Sequence, residues 1–149
     1  MKHLLIIIFF SLSWISLKAQ KENLPIIDVH LHAFSADWVG HPDSAVSWMH
    51  LNLSRPHTDE QLMNETFEVM NQHNIVMAIA SGPFTYVDMW KEFDENRIMY
   101  GCIGVKPNER FIEELRSRHK EGKLDVLGEV VPQFGGISPS DSILDLYYS

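Results

Sequence analysis

The chain has a single cysteine, Cys102, among its 149 residues. An internal disulfide framework and a cysteine-built zinc cluster are therefore excluded, and any metal site has to use imidazole and carboxylate ligands. Basic residues are also scarce: 12 Lys and Arg stand against 20 Asp and Glu, a formal charge of −8. No basic stripe is available to neutralise a phosphate backbone, which argues against nucleic acid as a partner. A glycine-rich phosphate-binding turn is missing too. The residues after the first β-like run are Ala33-Phe34-Ser35-Ala36-Asp37, without the glycines that let a backbone wrap a pyrophosphate. What the chain does have is a hydrophobic content of 45%, enough for a packed core, and eight histidines.

The N-terminus reads as a targeting segment. Lys2 and His3 precede the run Leu4 to Phe10, which continues through Trp14 to Leu17 interrupted only by serines. An apolar core of about 14 residues is short for a membrane span and suits a secretory signal, with cleavage expected between Ala19 and Gln20. The alternative is an uncleaved anchor flanked by Lys18 and Lys21. Residues 1–19 are thus expected to be a signal peptide, and the mature protein to be periplasmic or secreted without stable membrane insertion. Loss of Lys2 and Lys18, with no acid lost, takes the charge from −8 to −10 over 130 residues.

The remaining chain alternates between strand-like and helix-like patterns. Ile26 to Phe34 (IIDVHLHAF) is the first β-like run, followed by a long loop over residues 35–58. Thr58 or Asp59 caps a predicted helix with Leu62, Met63, Phe67, Val69 and Met70 inward, ending near His73-Asn74. Ile75 to Ser81 predicts a second strand, and Tyr86 to Asn96 a second helix. Ile98 to Val105 predicts a third strand, and Arg110 to Lys120 an outer, solvated helix capped at Pro107-Asn108 and ended by Gly122. Leu124 to Phe134 (LDVLGEVVPQF) predicts a fourth strand, with a short helix capped by Ser140 or Asp141 after it. This rhythm indicates parallel βαβ crossovers, as found in doubly wound sheets and in (β/α)8 barrels.

The chemistry concentrates on the first strand. Strict alternation puts Ile26, Asp28, His30 and His32 on one face and Ile27, Val29 and Leu31 on the other. Two imidazoles at i and i+2 near the strand's C-terminal end can ligate one divalent cation, zinc being the best match to neutral imidazole. Asp28, one pleat deeper, is placed to orient those ligands by hydrogen bonding. On the predicted fourth strand Glu129 lies in an apolar run, where an unpaired carboxylate is costly unless a cation or a basic side chain compensates it.

The segments PIIDVHLHAF and LGEVVPQFGGISPSD resemble the amidohydrolase-related family of metal-dependent hydrolases, over residues 25–149. The resemblance implies a partial (β/α)8 TIM-type barrel, about its first four βα units, with His30 and His32 as metal ligands. Glu129 matches the fourth-strand position where relatives place a carboxylated lysine or a glutamate, and so is a candidate third ligand or metal-proximal acid. It further implies metal-assisted attack of water on an amide, ester or lactone-type bond of a small molecule, or decarboxylation of an aromatic acid in some relatives. The family's later histidines and its general-base aspartate belong to strands beyond residue 149. The expectation is therefore the N-terminal portion, residues 20–149, of a longer enzyme. An inactive half-barrel or an accessory metal-binding element is the alternative. Trp38, His41, Trp48, His50 and His57 are candidates to line a substrate pocket, or else they pack the long loop. A histidinol-phosphatase type barrel and a cupin also begin with H-x-H, but the Ser-Asp-Gly of the former and the later Glu of the latter are not matched here.

Overall fold

The computed structural model describes residues 24–39, 56–104 and 106–148. The signal-like segment 1–19 and the loop residues His41, Trp48 and His50 lie outside these. Three strands, β1 (Ile26–His32), β2 (Ile75–Ser81) and β3 (Ile98–Tyr100), form one parallel sheet in the order β1-β2-β3. β2 is central. Between the strands run α1 (Ala36–Val39), α2 (Asp59–Gln72) and α3 (Phe84–Phe93); after β3 come α4 (Glu109–Lys120) and two 3-10 turns, Pro132–Gly135 and Ser142–Tyr147. None of the described helices is long and apolar enough to cross a membrane.

Local chemistry explains the helices. The Thr58 hydroxyl accepts from the Gln61 amide, and Asp59 and Glu60 sit in the first turn of α2, where carboxylates oppose the helix dipole favourably. Asn74, with φ of 54°, turns the chain out of α2 into β2. Asn108 caps α4 by accepting from the Phe111 amide, and Gly122 takes φ of 72° just past its end. Met63, Phe67 and Met70 of α2 and Val87 and Trp90 of α3 bury against Ala78 and Ala80 of β2 and Ile98 of β3. Val69, one of the positions expected to face inward, is exposed. A second cluster joins Ile112 and Leu115 of α4 to Cys102, Leu144 and Tyr147.

The partial barrel expected from the resemblance is not what forms. The sheet is open, with β1 at one edge, and among the described residues no strand follows β3. The predicted fourth strand reduces to an isolated parallel bridge, Gly104 to Val130. Two local features prevent a longer ladder. The Tyr100 amide is taken by the Asp125 carboxylate in place of a backbone carbonyl. At the other end Pro132, which has no N–H to donate, begins a 3-10 turn. The final helix is capped by Asp141 as expected, but its turns are 3-10. α4 is exposed over most of its length, as predicted, with one departure: Arg118 is largely buried, pairs with Asp88 of α3 and lies 4.2 Å over the Phe84 ring.

The contrast within α2 is testable. Replacing Phe67 by Ala is expected to lower the unfolding free energy in urea by about 3 to 5 kcal/mol, whereas Val69→Ala changes it by about 0.5 kcal/mol or less.

Candidate metal centre

Strict alternation along β1 fails at Val29-His30. Asp28 pairs with Ala78 and Leu31 with Ala80, so three steps on β1 oppose two on β2. This is a bulge, and it changes which side chains share a face. Asp28 and Leu31 register with the buried alanines under the helices, while Val29 and His30 are exposed. The Asp28 carboxylate accepts from the His30 backbone amide at 2.9 Å. Asp28 thus holds the backbone at His30 through that amide.

The two imidazoles, at i and i+2, stand together with ring centroids 4.8 Å apart. Phe34 packs on His32 at 5.0 Å, and Trp38 on Phe34 at 6.0 Å. Of the loop candidates, Trp38 therefore joins an aromatic row that leads to the histidines. The backbone amide of His57 donates to the Gln61 side chain at the start of α2.

Glu129 reaches the same point from the far side of the sheet. Its backbone carbonyl accepts from the Gly104 amide at 2.8 Å. The preceding carbonyl, that of Gly128, accepts from the Cys102 amide at 3.0 Å and from the Ser81 hydroxyl at 2.8 Å. So anchored, the Glu129 carboxylate lies 2.9 Å from His32 Nε2 and 3.5 Å from His30 Nε2. One ligand atom from each of the three residues falls within 4.8 Å of the others. Side-chain exposures of 60% for His30, 40% for His32 and 26% for Glu129 make this an open site.

These residues fit a divalent cation. Tetrahedral ligands at zinc distances stand about 3.4 Å from one another; the two imidazole–carboxylate separations bracket that value, while the three ligand atoms together spread over as much as 4.8 Å, so a bound cation would have to draw the set closer. Two neutral nitrogens and a carboxylate also match the donor set of hydrolytic zinc. The same 2.9 Å separation serves as an Nε2–H···carboxylate hydrogen bond when no cation is bound. Next to the cluster a cleft of about 130 Å³ is lined by His30, Glu129, Ser81 and the apolar Val29, Ile79 and Val126.

Ser81 is the site residue that sequence reading passed over. The signal was a polar residue closing an otherwise apolar strand, IVMAIAS, at the carboxyl end where parallel sheets place their sites. Lys106 is exposed, as a surface lysine should be. Cys102 is fully buried, and burial pushes its thiol above its ordinary pKa, outweighing the hydrogen bond with Gly128. A protonated, inaccessible thiol is a poor nucleophile. Cys102 is accordingly expected to react with a thiol reagent at least about tenfold more slowly in the native protein than in urea, as followed by absorbance.

No family model, curated protein or solved structure matches the chain, and the chemistry of the site rests on these residues themselves.

Proposed function

We propose that His30, His32 and Glu129 hold one divalent cation, zinc foremost, and that the chain serves hydrolysis of an amide, ester or lactone-type bond in a small molecule. The observation that carries the proposal is the convergence on one point of two imidazoles from β1 and a carboxylate 97 positions from His32. The likeness of PIIDVHLHAF and LGEVVPQF to amidohydrolase-related enzymes supports the hydrolytic part, independently of the barrel that those enzymes form.

A cation in such a site supplies Lewis acidity toward water and toward a carbonyl oxygen. The protein's share is placement. Glu129 brings negative charge to a site of two neutral ligands, the Asp28 carboxylate fixes the backbone from which His30 projects, and Phe34 packs against the His32 ring. Val29, Ile79 and Val126 line an apolar wall beside the ligands, against which a small substrate's hydrocarbon portion can lie.

A second reading, a cation-holding element without turnover of its own, is favoured by the openness of the site. His30 is 60% exposed, and water-excluding enclosure, which strengthens electrostatic catalysis, is weak there.

Metal-free protein titrated with zinc is expected to take up one equivalent, with a rise in melting temperature that the joint change His30→Ala, His32→Ala abolishes. A folded protein that takes up no zinc overturns the proposal. Zinc-dependent cleavage of a small activated ester, lost with the same double variant, supports the hydrolase; uptake without cleavage of amide, ester and lactone substrates supports the second reading.

A further inference from the structure

Two of the proposed ligands lie on an edge strand and the third on an irregular segment beyond the opposite edge. Only something attached to the central strand can set the distance between them. Ser81 is the residue so placed. It is paired in register with His32 across the β1–β2 ladder, and its hydroxyl donates to the carbonyl of Gly128, the residue before Glu129. It is 4% exposed, so water has little access to replace that hydrogen bond. The packing around it is close: a Cβ on Gly101 would stand 2.7 Å from both Ser81 Oγ and the Ala80 carbonyl oxygen.

We infer that Ser81 is a positioning residue for the metal centre, its hydroxyl acting through the Gly128 carbonyl to aim the Glu129 carboxylate at His30 and His32. This rests on the cation-binding reading above. The segment that carries Glu129 has just one bridge of regular pairing, Gly104 to Val130. The Gly128 carbonyl has two partners, the Cys102 amide and Ser81. The amide ties the segment to the chain beyond β3. The hydroxyl ties it to β2, the strand against which His32 is registered, and so relates the carboxylate to the imidazoles. Groups that hold metal ligands in place in this indirect way alter affinity by about 10- to 100-fold when removed.

The test is a double-mutant cycle read by zinc affinity, in competition with a chromophoric chelator, on the full chain. Ser81→Ala is expected to weaken zinc binding about tenfold when Glu129 is present and less than about twofold in the Glu129→Ala background. Ser81→Thr, which keeps the hydroxyl, is expected to recover most of the affinity. Ser81→Cys, similar in size and a weaker donor, is expected to fall between Ser and Ala, and keeps the test open should Ser81→Ala not fold. Equal losses in both backgrounds would show general loosening and overturn the inference, as would unchanged affinity in Ser81→Ala. Absence of zinc binding by the unsubstituted protein overturns the cation reading itself, a result distinct from either.

Discussion

Burial of one face of β2 organises the rest of the molecule. Ala78 and Ala80 are fully enclosed under α2 and α3, and their small side chains leave room for Phe67, Met70 and Trp90. Burying such large apolar groups stabilises each by about 1.5 to 3 kcal/mol relative to exposure, which makes this layer the principal source of folding free energy among the described elements. The neighbouring strands have to match the central one. β1 does so with two compensating shifts in register, one between Ile26 and Ile27 and one between Asp28 and Leu31, which pair Asp28 and Leu31 with the two alanines. The geometry of the histidines is in that sense a consequence of how β1 registers on the central strand.

That consequence explains which features were legible in the sequence. The caps of α2 and α4 were, because Thr58 and Asn108 act through their own side chains within a single turn. β2 was also legible, since its apolar run is bounded by a helix end and by Gly82-Pro83. The bulge was not: period-two alternation is a property of one strand, whereas a bulge is a mismatch between two. Asp28 was accordingly assigned to the face of the imidazoles. His30, His32 and Glu129 were joined in the sequence through a family resemblance, and the three side chains do lie together, although on an open sheet in place of the barrel that the resemblance implies.

The fourth strand failed for a related reason. LDVLGEVV has the composition of a strand, but composition cannot reveal that Asp125 competes for the Tyr100 amide or that Pro132 ends the pairing. Without a regular ladder, the segment is held by backbone bonds to Tyr100, Cys102 and Gly104, by the Asp125 and Ser81 side chains, and by the second cluster around Cys102 and Tyr147. Arg118 escaped notice similarly. In a helix of mixed charge it reads as solvated, yet its guanidinium finds both a carboxylate and an aromatic face on α3.

An open sheet that carries ligands at both margins has an energetic corollary. Cation binding would connect β1 to the segment beyond β3 across β2, closing a loop between residues 32 and 129 that regular pairing leaves weakly joined. A ligand that binds only the folded form stabilises it by RT ln(1 + [L]/Kd), roughly 2.7 kcal/mol at a hundredfold excess over Kd. Gains of that size are a substantial part of the total stability of a small domain. They would fall mainly on the elements least secured by the core, β1 and the stretch around Glu129, while α2 and α3 already hold through Phe67 and Trp90. Selection for an ordered ligand set and selection for a stable margin would then act on the same three residues, and on Ser81 between them.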